Sequence, residues 1–66
     1  MSLEEKLKNL VYVEEYIGKT IKISKKYFKW QFDYNFTTYL VEMFDSKLSG
    51  KKRVLIDGKV VKELEE

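Results

Sequence analysis

The sequence predicts an α+β fold, with an N-terminal helix followed by an antiparallel meander of about four strands, like half of an all-β sandwich. Three observations predict it: a helix-period apolar stripe behind a capping signal at the start of the chain, a switch to two-residue periodicity after Gly18, and the hairpin dipeptide Asp57-Gly58. The 66 residues make a single small domain, 1–66, with the helix at about 3–17 and the sheet at about 19–62.

Ser2 and Glu5 have the spacing of a capping box, in which hydroxyl and carboxylate satisfy free backbone donors at a helix start. Leu3, Leu7, Leu10, Val11 and Ile17 then recur near 3.6-residue spacing, and Gly18 stands where a left-handed C-terminal cap is wanted. That stripe is expected to pack on the sheet rather than serve as a coiled-coil seam, because two heptads are too few to hold a dimer. The rival reading is a strand through "LVYVEEYI", whose valines and tyrosines are β-formers.

Beyond Gly18, Ile21 and Ile23 and then Phe28, Trp30, Phe32 and Tyr34 occupy alternate positions, as in a strand with one covered face. A turn is expected at Tyr34-Asn35-Phe36. Residues 37–45 form the next strand, with Tyr39, Val41 and Met43 on one side and Leu40 and Phe44 on the other. The following turn falls within Ser46 to Gly50. "KRVLI" then runs into Asp57-Gly58, where a type I′ turn needs positive φ at both central residues. That turn sets Ile56 opposite Lys59, Leu55 opposite Val60 and Val54 opposite Val61.

With no Cys and no His, disulfides and the familiar zinc sites are excluded, and no metal or other cofactor is expected. A chain this short buries only about 60% of the surface its unfolded form exposes, so oligomerisation or attachment to a larger chain is the remaining way to complete a core. No apolar run approaches the roughly 18 residues of a membrane span, and the expected location is the cytoplasm. The net charge of +2 is unevenly spread: residues 1–17 carry −2, residues 18–62 carry +7 and residues 63–66 carry −3. Lysine outnumbers arginine twelve to one in a chain without Ala or Pro, a bias toward AT-rich codons that gives many lysines a mutational origin.

Catalysis is not expected. The available carboxylates Asp33, Glu42, Asp45 and Asp57 are scattered over strands and turns, and Asp57 already serves the hairpin. Both faces of the meander are apolar and one helix covers only one of them. Self-association through the sheet is therefore expected, a homodimer first, by way of Val41, Met43, Leu40, Phe44, Val54 and Val61. A parent protein supplying the second sheet is the competing account. Lys51, Lys52 and Arg53 are read first as a solvated strand start and second as a contact for another protein partner. The alternative function is a small basic nucleic-acid-binding domain using Lys19, Lys22, Lys25, Lys26 and Lys29 among Tyr27, Phe28 and Trp30.

One resemblance sits on the same strands. "YLVEMFDSK", then Ser49-Gly50-Lys51-Lys52-Arg53, then "VLIDGKVV" resembles the Fas apoptotic inhibitory molecule family, whose β-sandwich domains carry a V-E-L-like strand, an S-G-K-R-like turn and a V-D-G-K-like hairpin. The preceding "KWQFDY" is similar to the family's Trp and Phe alternation. The likeness covers roughly residues 28–62 and departs at Thr38-Tyr39, where the family pattern has a His. It implies an antiparallel sandwich of which this chain is half, no enzymatic activity, and a role in protein interaction or in protection from cell death and protein-damage stress.

Overall fold

A computed structural model describes residues 7–65. They form one five-stranded antiparallel sheet in sequence order: β1 (Leu7–Tyr16), β2 (Lys25–Tyr34), β3 (Thr37–Ser46), β4 (Lys51–Ile56) and β5 (Lys59–Glu65). A single 3-10 turn, Lys22–Ser24, lies between β1 and β2.

The expected α+β class is therefore corrected to all-β, and the expected helix at 3–17 is a strand over its described part. The capping box at Ser2 and Glu5 lies outside the described residues. The physical reason is partnership. A helix over these residues would satisfy its own backbone but would need a surface for its apolar stripe, whereas β1 pairs along β2 from Leu7↔Tyr34 to Tyr16↔Lys26 and sets Tyr12 beside Trp30. Valine and tyrosine, which lose rotamer freedom in a helix, suit that pleated edge.

Gly18 is not a left-handed cap either; the described glycines with positive φ are Gly50 and Gly58. It permits close approach instead. A Cβ there would collide with the Ile21 carbonyl oxygen, in a loop closed by the Gly18 N–H donating to the Lys22 carbonyl at 2.9 Å. That loop takes Ile21 and Ile23 out of the sheet and leaves both exposed. The periodicity of β2 accordingly starts at Lys25.

The turns follow the expected chemistry. Asn35 and Phe36 have φ of 50° and 67°, and Asp57 and Gly58 have 51° and 84°, the left-handed pairs that a type I′ hairpin needs. Asp57 also closes the open end of β3, because its N–H donates to the Leu40 carbonyl at 2.8 Å while its carboxylate accepts from the Leu40 N–H at 2.9 Å. Ile56 faces Lys59 and Leu55 faces Val60 as the turn dictates. Val54 faces Lys62 and not Val61, because a bulge between the Val54 and Leu55 pairs inserts one residue into β5. A second bulge, between Lys8 and Val11, includes Asn9 with φ of 56°.

Among the described residues none is buried. The radius of gyration is 14.1 Å, against about 11 Å for a compact domain of this length. The described residues form a single layer, and the half-sandwich expected from the sequence takes the form, among them, of a sheet with no layer packed on it.

Candidate interaction surface

Register sorts the side chains into two unlike faces, because residues directly opposite on neighbouring strands share a side. One row runs Tyr12, Trp30, Val41, Ile56 across four strands, and the next runs Glu14, Phe28, Met43, Val54. Phe32 and Tyr39 extend the same face, their ring centroids 5.7 Å apart. Trp30 lies 5.4 Å from Tyr12 and 6.0 Å from Phe28, centroid to centroid. These spacings suit offset or tilted aromatic pairs, which add about 0.5–1.5 kcal/mol each beyond area burial. This aromatic face ends in a charged row of Tyr16, Lys26, Asp45 and Lys52.

The charges at that end are organised. Lys26 pairs with Glu14 and stands over the rings of Tyr16 and Phe28, 5.1 and 5.3 Å from their centroids. The hydrogen bond from Lys26, and then that from the Tyr12 hydroxyl at 2.8 Å, hold the Glu14 carboxyl below its usual range. The Lys26 ammonium is pushed up in return, chiefly by its hydrogen bond to Glu14. The Tyr12 hydroxyl is raised, first by its bond to the Glu14 carboxylate.

The opposite face mixes apolar and charged rows, Val13, Lys29, Glu42, Leu55, Val60 and then Glu15, Tyr27, Phe44, Arg53, Glu63. Tyr27 and Phe44 pack at 4.9 Å, and the Tyr27 hydroxyl donates to the Glu42 carboxylate. Partial burial first, and that hydrogen bond second, push the Tyr27 hydroxyl up to about 12. Asp33 accepts from the Thr38 hydroxyl and from Asn9 Nδ2, both at 2.7 Å, and is held below its usual range by these bonds in that order.

The six residues expected to mediate self-association do not make one patch. Val41, Met43 and Val54 share the aromatic face, with Met43 directly opposite Val54, whereas Leu40 and Phe44 lie on the mixed face and Val61 falls in the β5 bulge. Tyr12, Phe28, Trp30, Phe32 and Ile56 complete the aromatic face and were not among the expected contacts. The signal for three of them was the alternation in "FKWQFDY", which becomes a shared face once the Asn35-Phe36 turn fixes Tyr34 opposite Thr37. The adjacent cations divide as a strand requires: Lys51 and Arg53 project on the mixed face, and Lys52 on the other. Arg53 pairs with Glu63 at 3.2 Å.

The lysines and aromatics that suggested nucleic-acid binding also separate. Lys25 and Lys29 share the mixed face with Tyr27, while Phe28 and Trp30 face the other way and their neighbouring cation, Lys26, is paired with Glu14. The other cations of the aromatic side stand toward the β5 edge, Lys59 opposite Ile56 and Lys62 opposite Val54, and are not among the lysines that suggested nucleic-acid binding. Among the described residues no group of three or more acidic, His or Cys side chains converges as a metal site requires, and no helix is long and apolar enough to cross a membrane.

These features define a class: a single-layer antiparallel sheet with one aromatic face. No family model, no curated protein and no solved structure matches the chain.

Proposed function

We propose that the chain is a non-enzymatic interaction and assembly module that self-associates by laying its aromatic face against that of a second copy. The observation that carries this reading is the complete lack of buried residues in the described sheet, set beside the ordered apolar rows through Trp30 and Phe28. Five strands about 4.8 Å apart, with about eight residues each at 3.3 Å, present roughly 600 Å² in plan. Side-chain relief raises that toward the approximately 800 Å² per partner of a standard stable interface. Two such sheets facing at about 10 Å make a sandwich, the arrangement that the resemblance to the Fas apoptotic inhibitory molecule family also implies. A role in protein interaction or stress protection belongs to this proposal on the strength of that resemblance, and the cytoplasm is the compartment we propose for it.

Sedimentation equilibrium at tens of micromolar tests the reading. The expected result is a dimer that Val41→Asp, on the aromatic face, converts to unfolded monomer, whereas Val60→Asp, on the mixed face and 50% exposed, retains the dimer mass. A wild-type chain that is a stable, fully folded monomer at that concentration overturns it.

A further inference from the structure

The mixed face carries a feature that self-association leaves open. At the end of the sheet where the β1–β2 loop meets the β3–β4 turn, the Lys47 N–H donates to the Ser24 carbonyl at 2.7 Å and ties the two together. The Ile17 N–H donates to the Lys25 carbonyl at 2.8 Å and folds the loop back toward the sheet. Two adjoining hollows, of about 520 and about 270 Å³, lie along this junction and share Lys25, Phe44 and Ser46 as a common wall.

Their chemistry is polarised. Ile17, Ile21 and Leu48 line the larger hollow beside Lys19, Thr20 and Ser24, and Lys51, Arg53 and Ser49 line the smaller one. Among the described residues lining either, Glu63 alone is acidic, and it is engaged by Arg53. Four cations, three serine hydroxyls and an aromatic ring thus share the cleft with the apolar side chains at its loop end. The larger volume lies in the range of about 300–1,000 Å³ typical of small-molecule sites and the smaller falls just below it; such sites pair apolar walls with a few placed polar groups.

We propose that this cleft binds a small amphipathic anion. Its phosphate or carboxylate head is held by Lys25, Lys51 and Arg53, and its apolar body lies over Phe44 toward Ile17, Ile21 and Leu48. Arginine presents a planar fork to either kind of head, and lysine adds charge without a geometric demand. The stretch "SGKKR" thereby acquires a use beyond turn formation: alternation along β4 sends Lys51 and Arg53 to the cleft and Lys52 to the other side. The site does not depend on the aromatic face, since Phe44 and Trp30 point to opposite sides of the sheet.

The test titrates octyl phosphate and octanoate, below their micelle concentrations, into the isotopically labelled full chain and follows backbone amide shifts. Saturable binding is expected, with shifts confined to residues 17–25, 44–53 and the neighbourhood of Glu63. Inorganic phosphate alone, octanol alone and octyltrimethylammonium should each bind about tenfold more weakly or worse, as loss of one charge-assisted contact or of the apolar body requires. The Lys51→Gln, Arg53→Gln double variant should lose about tenfold in affinity with its sedimentation mass and circular dichroism unchanged. The single tryptophan, Trp30, is a sentinel on the other face, and its emission should not respond. A shifted Trp30 emission, equal binding of the cationic amphiphile, or capture by anionic vesicles without saturable binding of free octyl phosphate would each overturn the proposal.

Discussion

At the scale of single residues, the two type I′ turns form a natural experiment. Asp57-Gly58 uses the favoured pair, and a Cβ at Gly58 would meet no atom within 4 Å, so any cost of substitution there is backbone strain alone. Gly58→Val should lower stability by about 1–3 kcal/mol in urea unfolding. Asn35-Phe36 meets the same demand with a bulky residue at φ of 67° whose ring is fully exposed. Phe36→Gly should therefore raise stability by about 1 kcal/mol, since left-handed backbone costs a non-glycine residue about 1–2; an unchanged or lower urea midpoint would count against the turn geometry. Tyr27 sets a pH limit of its own. Its hydroxyl is raised from the ordinary 10.0 to about 12 by partial burial and by donation to Glu42. Folding thus favours the protonated form: the contribution is complete below pH 10 and is lost as pH rises toward 12. Stability should decline through that window, and Tyr27→Phe should flatten the decline.

At the scale of elements, what the sequence made legible was turns and strand alternation, both of which are local. Asn35-Phe36, the Ser46–Gly50 turn, Asp57-Gly58 and the strand between the first two were readable because each depends on a few adjacent residues. The helix expected at 3–17 failed because the stripe of Leu3, Leu7, Leu10 and Ile17 is compatible with a helix in isolation, and only the unpaired edge of β2 decides for a strand. The β5 bulge was not readable, since no glycine or asparagine marks Val61, and it displaced that residue from the expected contact set. The candidate surface was half legible. Its apolar residues were all visible, but which of them share a side depends on a four-strand register. Strand position also orders local stability. The central strands β2 and β3 pair on both sides, while β1 and β5 each leave an open edge and β5 is exposed along its whole length. Hydrogen exchange should find the slowest amides in β2 and β3 and the fastest in β5, and uniform protection across the five strands would contradict a single-layer sheet with free edges.

At the scale of the whole molecule, the fold separates its sources of stability. Backbone pairing and cross-strand contacts hold the layer together, and three or more strands with a hydrophobic face are ordinarily the least that persists in water without a packed helix. Here the aromatic rows supply lateral contacts such as Tyr12 with Trp30, but among the described residues no side chain is fully buried. Covering the aromatic face would convert half-exposed rings into a core, so folding and assembly are expected to be thermodynamically linked and apparent stability to rise with protein concentration.

The strand order also has a consequence in time. Because β1 to β5 are neighbours in sequence order with no crossover, each pairing after the first closes only the turn or short loop before it. The layer can grow hairpin by hairpin, in steps of about 1–10 μs each. Apposition of two layers is an encounter between molecules and obeys a different law. Stopped-flow refolding should accordingly show a fast phase whose rate ignores dilution, in which strand signal returns, and a later phase slowed in proportion to dilution, in which Trp30 emission moves to the blue. A Trp30 change completed within the first phase would mean that the ring finds its shelter within a single chain.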